Sequence, residues 1–134
     1  MTQQNRPSII FHMCRIDEWD HAVGRGRYAG STQDAADGFI HFSTAEQIVE
    51  SAAKHRAGQD GLVIVAADTA RCGPWLEWEA SRGGALFPHL YSDLAMDAVI
   101  GAHLLPLGSD GNHQFPALDN PSGWPAYQPI RKTG

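Results

Sequence analysis

Cysteine is scarce in this chain. Cys14 and Cys72 are the only two in 134 residues, and they stand in no CxxC or other paired spacing. That excludes a disulfide framework, gives no support to a thiolate zinc site, and fits a reducing, cytoplasmic setting. Long hydrophobic runs are missing too. No window approaches the ~18 apolar residues that a spanning helix needs. The opening "MTQQNRPS" lacks the apolar stretch of a secretory leader, so neither export nor membrane association is expected. Basic residues are few: ten Lys and Arg stand against fifteen Asp and Glu, for a formal net charge of −5 at pH 7. They are scattered, so no nucleic-acid groove is expected, because affinity for a polyanion comes from cations clustered at phosphates. "RGR" at residues 25–27 is the one local cluster before the tail, enough to hold a single phosphate group. HExxH, HxH, GxSxG, P-loop and GxGxxG signatures are all absent, which leaves the standard zinc, serine-hydrolase and nucleotide-fold readings without support. Seven histidines offer no ligand pair on one helix or strand, so no metal is expected.

What is present reads as one domain over residues 1–134, with a core over about 8–115 and a proline-rich, extended tail over 116–134. "SIIFHM" is short, apolar and β-rich, and predicts the first strand. "RIDEWDHAV" carries Ile16, Trp19 and Val23 at helical spacing. The stretch "GRGRYAGSTQDAADG" is glycine-rich and polar and predicts a surface loop. "GFIHFS" is a second strand, running into a helix over "TAEQIVESAAKHRAG". Ser43 with Glu46, or Thr44 with Gln47, has capping-box spacing, and Gly58 is a suitable stop. "GLVIVAAD" is continuous enough to be a central strand. "WLEWEAS" alternates and "MDAVIGAHLLPL" supplies another strand, with "GNHQFPAL" as a short return. Trp124 and Tyr127 are the residues that would pack the tail down. Strands outnumber helices and the helices come early, so the fold class is α+β.

Three stretches carry residues suited to chemistry. In "DGFIHFSTAEQ", period-two alternation puts Phe39, His41 and Ser43 on one strand face. The following helix start places free N–H groups beside His41, Ser43 and Thr44, where an anion could be held. The alternative is that the hydroxyls only cap the helix while His41 is a hydrogen-bonded core residue. His12 interrupts the first strand in the same manner, and a ring in an apolar strand must find a polar partner. "FPHLYSDL" reads as a rigid loop whose Phe87, His89 and Tyr91 could stack on a flat ligand, or plug the end of the core. Glu77 and Glu79 share a strand face, either as an acid–base pair or as a solvated edge.

Taken in order, "IFHMC", "DGFIHFSTAEQ", "LEWE" and "FPHLYSDLAMDAVI" resemble the bacterial family of unknown function DUF952, over about residues 9–115. Ser92 departs from the glycine expected after the tyrosine. That family is similar in fold to the ADP-ribosyltransferase superfamily, which includes the RNA 2′-phosphotransferases. The resemblance implies a mixed, split sheet around a cleft for NAD or an ADP-ribose-like ligand. It implies His12 as the ligand anchor on the first strand, "HFST" as the nicotinamide site, and Glu79 as the glutamate that stabilises an oxocarbenium-like ribose. The expected catalytic residues are therefore His12 and Glu79; the expected ligand contacts are His41, Ser43, Thr44, Phe87, His89 and Tyr91. The expected function is NAD- or nucleotide-dependent ADP-ribosyl or phosphoribosyl transfer, with NAD as cofactor and a small nucleotide-like or anionic ligand as partner. A non-catalytic binding module on the same fold and a hydrolase built on His12, His41 and His89 are the alternatives.

Overall fold

The computed structural model describes residues 7–81 and 83–129. The first six residues, where the absence of a leader was read, and the last five of the tail lie outside the described residues.

The chain begins with strand β1 (Ile9–Arg15), helix α1 (Ile16–Arg25) and a two-residue strand β2 (Arg27–Tyr28). Helix α2 (Thr32–Asp37), strand β3 (Ile40–His41) and helix α3 (Ala45–His55) follow. The remainder is strand, β4 (Leu62–Asp68), β5 (Leu76–Ala80), β6 (Leu86–Leu90), β7 (Leu94–Ala95) and β8 (Val99–Leu105), joined by short turns of 3₁₀ helix. Among the described residues all three α-helices precede β4, and the protein is a small single-domain α+β fold.

Strand β4 is the spine. It lies between β1 and β8 in an antiparallel sheet of order β1-β4-β8, and residues 62–67 are buried without exception. A strand covered on both faces has no polar side to show, which is why "LVIVAA" runs without alternation. Val63, Val65 and Ala67 join one core cluster, with Ile10, Cys14, Trp19, Tyr28 and Phe42. Leu62, Ile64 and Ala66 join the other, with Phe11, Ile48 and Leu105. Trp124 of the tail packs against this second cluster, its indole N–H donating to the Ala117 carbonyl at 2.8 Å. Tyr127 hydrogen-bonds Asp20 Oδ1 of α1 at 2.7 Å.

A second sheet has the order β3-β6-β5, and β2 pairs with β7. Every strand pairing among the described residues is antiparallel, so the mixed sheet expected from the resemblance is corrected: strands that run in the same direction, β1 with β8 and β3 with β5, are separated by an antiparallel strand between them. The two larger sheets meet where Phe11 and Ser43 exchange backbone hydrogen bonds of 2.7 and 2.8 Å.

Three local expectations also change. The predicted loop after α1 contains β2 and α2. Ser31 caps α2, and Asp34 returns the bond to the Ser31 N–H, an S-x-x-D capping box in a stretch whose glycines suggested only a loop. The predicted loop "FPHLYSDL" is strand β6 up to Leu90, because it is gripped on both sides by β3 and β5. The return strand in "GNHQFPAL" reduces to one isolated bridge, Leu107 to His113, since Pro106 and Pro116 supply no N–H to a longer ladder. Helix α3 is entered at Thr44, whose N–H donates to Gln47 Oε1 at 3.0 Å; of the two capping boxes the sequence offered, this one forms. It ends at His55, ahead of Gly58, with the Arg56 N–H bonded to Ala52. No helix among the described residues is long and apolar enough to cross a membrane.

Gly30 sets the entry to α2. Its φ is +104°, and a Cβ there would lie 2.8 Å from the Asp34 Cβ. Gly30→Ala should destabilise the fold by roughly 1–3 kcal/mol, measurable as a lower urea midpoint at unchanged slope.

Candidate functional site

β1 places every second side chain, Ile10, His12 and Cys14, on the face that carries the first core cluster. His12 is therefore drawn into an apolar interior, where it is 3% exposed. Its Nδ1 lies 2.6 Å from the His41 carbonyl oxygen, which can only accept, so the proton is on Nδ1. Nε2 is then the acceptor of the Tyr28 hydroxyl at 2.6 Å. Burial disfavours the imidazolium and pulls the His12 pKa below its ordinary value, against the opposing charge of Asp34 and the bond to the His41 carbonyl. Tyr28 is raised, first by burial and then by the nearby Cys14 and Asp34. Cys14 is pushed up to about 12, chiefly by burial, so it is no nucleophile.

Asp34, also 3% exposed, was not anticipated as a site residue. One oxygen accepts from the Ser31 N–H at 2.7 Å. The other accepts from His41 Nδ1 at 2.6 Å and from the His41 N–H at 3.2 Å. His12 Nε2 is 3.5 Å from Oδ2. Burial alone would raise this carboxyl, but the bond from His41, the charge of the histidines and the two backbone N–H groups outweigh it and hold the pKa at about 2.

His41 is the counterpart. Its Nδ1 donates to Asp34 and its Nε2 to Asp37 Oδ2, at 2.6 and 3.0 Å. With an ionised carboxylate on each nitrogen the ring is an imidazolium. The Asp34 bond is the main reason its pKa is raised, over a smaller opposing effect of burial. Across the β3–β6 pair, His41 stands directly opposite His89, with ring centroids 5.7 Å apart. His89 Nδ1 donates to Glu79 Oε1 at 2.7 Å, a diagonal cross-strand contact from β5, and the Tyr91 hydroxyl donates to the same oxygen at 2.7 Å. These two bonds, from Tyr91 first and then His89, lower the Glu79 pKa. Phe39 stacks on the His89 ring at 4.1 Å. His89 Nε2 makes no hydrogen bond among the described residues. No buried side-chain nitrogen or oxygen there is left unpartnered, so this atom keeps access to solvent.

His12, Asp34, Asp37, His41 and His89 border a cleft of ≈ 510 Å³, within the usual ~300–1,000 Å³ of small-molecule sites. Of the residues singled out in the sequence, His12, His41, Ser43, Phe87 and His89 border it. Thr44, Glu79 and Tyr91 do not. Thr44 is spent on the helix cap, and Glu79 and Tyr91 lie behind His89. Ser43 is bonded to Ser51 at 3.1 Å. The "RGR" arginines are not in the cleft wall; Arg27 pairs with Asp93 at 3.1 Å. The cation that does border the cleft is Arg56. Asp34, Asp37, Tyr28 and Arg56 were missed because their stretches carry loop or helix-surface signals; the capping-box spacing of Ser31 and Asp34 is the one clue that could have led to the first. Among the described residues no group of three or more His, Cys, Asp or Glu is arranged to hold a metal ion.

A small antiparallel α+β protein with a histidine–carboxylate cleft between two sheets is the class these features define. The family model described as "Protein of unknown function (DUF952)" matches residues 13–102, and the chain belongs to that family. It is similar to protein CC0527 from Caulobacter crescentus. The crystal structure of that protein is 47% identical, with a TM-score of 0.75, over 79% of this chain and 93% of that one. Its solution NMR structure gives 46% identity and a TM-score of 0.71, over 81% and 93%. No protein in a search of curated sequences matches.

The pH dependence follows from the shifts. The raised His41 pKa contributes stability that is complete below its unfolded value near 6.5 and is lost as pH rises through the folded value. Asp34 contributes stability present above 3.8 and lost as pH falls toward about 2. Asp34→Asn should therefore lower the His41 pKa in an NMR titration and flatten the loss of stability on the alkaline side.

Proposed function

We propose that the cleft binds a nucleotide-like ligand of the NAD or ADP-ribose type and that the protein transfers an ADP-ribosyl or related phosphoribosyl group from it. One observation carries the proposal. Two histidines face each other across β3 and β6 at the wall of a single cleft; one is fixed as a cation between two carboxylates, and the other is oriented by Glu79 with an open Nε2. A ring oriented through Nδ1 by a carboxylate is suited to exchange a proton at Nε2, as an attacking hydroxyl or water requires. Phe87, which borders the cleft, offers apolar surface to a flat ring. The likeness of the family to the ADP-ribosyltransferase superfamily, in an α+β fold with early helices, adds the reaction class.

The roles within this reading differ from those the resemblance implied. His12 has both nitrogens bonded inside the protein, so it positions His41 and Tyr28 and leaves the ligand to other groups. Glu79 acts through His89, by fixing the orientation of its ring. The hydrogen bonds from His89 and Tyr91 converge on one oxygen of Glu79, and this favours a second reading, a non-catalytic binding module in which no glutamate meets the ribose.

Purified protein should be stabilised by NAD or ADP-ribose in a thermal-shift assay, by about 2.7 kcal/mol at 100-fold excess over Kd. It should release nicotinamide from NAD, followed by chromatography. His89→Gln should slow release by ~100-fold or more while the thermal shift persists. A shift without release identifies the binding module; neither shift nor release removes the nucleotide reading.

A further inference from the structure

We infer that the end of the cleft at the C-terminus of α3 is a phosphate subsite centred on Arg56, so that the natural ligand is an organic phosphate or diphosphate. The inference uses the same cleft as the proposal above and deepens it; the phosphate chemistry itself is argued from Arg56 alone.

Arg15, Arg27, Arg71 and Lys54 each pair with a carboxylate. Arg56 pairs with none among the described residues. It is held instead by neutral acceptors: one terminal nitrogen donates to the Met13 carbonyl at 3.1 Å, the other to Gln59 Oε1 at 3.1 Å. Neutral acceptors fix the direction of a guanidinium without cancelling its charge. Two of its five N–H donors are used, and three remain for a ligand. The group is half-buried in the cleft wall, with His55 beside it in the chain and also bordering the cleft. A planar cation with free donors, fixed and unneutralised in a concave site, is matched to phosphate oxygens.

The early end of α3 explains the placement. The helix stops at His55, and the turn from Arg56 to Gln59, closed by a 3.0 Å backbone bond, lays the guanidinium over β1 at Met13, the neighbour of His12. Asp37, which borders the same cleft, has the complementary chemistry. Asp37 Oδ2 is occupied by Gln33 and His41, and its other oxygen is available to accept from a hydroxyl. A hydroxyl-bearing phosphate ester would satisfy both ends.

The test is calorimetric titration of the whole chain with inorganic pyrophosphate, AMP and adenosine. Pyrophosphate and AMP should bind wild-type protein and weaken as salt is raised. Arg56→Gln should weaken both by roughly tenfold or more, and Arg56→Lys by less, since it keeps charge without the fork. Adenosine should bind all three proteins equally. Pyrophosphate affinity equal in wild type and Arg56→Gln overturns the inference, as does no binding by wild type. Should Arg56→Gln fail to fold, NMR of wild-type protein decides: pyrophosphate must shift the Arg56 side-chain Nε–H resonance, and a shift confined to other residues overturns the subsite. Pyrophosphate binding without any response to NAD keeps this subsite and removes the nucleotide reading. NAD binding that is indifferent to Arg56→Gln does the reverse.

Discussion

A carboxylate removed from water must be met by donors or it will not stay charged, and Asp34 imposes that condition on half of the candidate site. Its oxygens are met by the Ser31 N–H, the His41 N–H and the His41 ring. Each of these partners has its own structural prerequisite. Ser31 is presented only if the chain turns at Gly30 into α2. The His41 N–H is free for Asp34 only because β3 takes its ladder bonds elsewhere. The His41 carbonyl, on the same residue, is what fixes the tautomer of His12. One buried charge thus ties the segment after α1 to both sheets, and Tyr28 and Cys14 continue the network into the core.

Two histidines a few ångströms apart are thereby given different work. His41 has a carboxylate on each side and keeps its second proton. His12 has a carbonyl and a hydroxyl and is held without one. His89, on the neighbouring strand, has one nitrogen committed to Glu79 and one open. Environment rather than residue type divides these rings into a fixed cation, an internal brace and a ring with one nitrogen open. Arg56 pairs with no carboxylate among the described residues and adds a fixed cation to the cleft wall.

Much of the fold is legible in the residues. The period-two pattern around His12 and His41, the unbroken apolar run of β4 and the spacing of α3 each follow from burial on one face or two. His41, Ser43, Phe87 and His89 could be placed near a cleft from such patterns. Tyr28 and Asp34 could not, because the glycines around them resemble a solvated loop, and the S-x-x-D spacing of their helix is common. Glu79 was visible as a carboxylate on a strand face; that it would serve His89 depends on the register of β5 against β6, in which Glu77 lies opposite His89 and Glu79 two pairs further on, opposite Phe87.

The sequence by itself determined which residues would be buried, which faces of the early strands would pair polar with apolar groups, and that no cysteine, metal or membrane chemistry was encoded in a recognised motif. These are local properties, set by side-chain periodicity and composition. Only the tertiary structure decided which histidine is charged, which carboxylate is spent on a ring, and which arginine among the described residues meets the cleft without a carboxylate partner. Those outcomes depend on hydrogen-bond partners 7 to 43 positions apart in the chain, and no local pattern records a distance that folding alone creates.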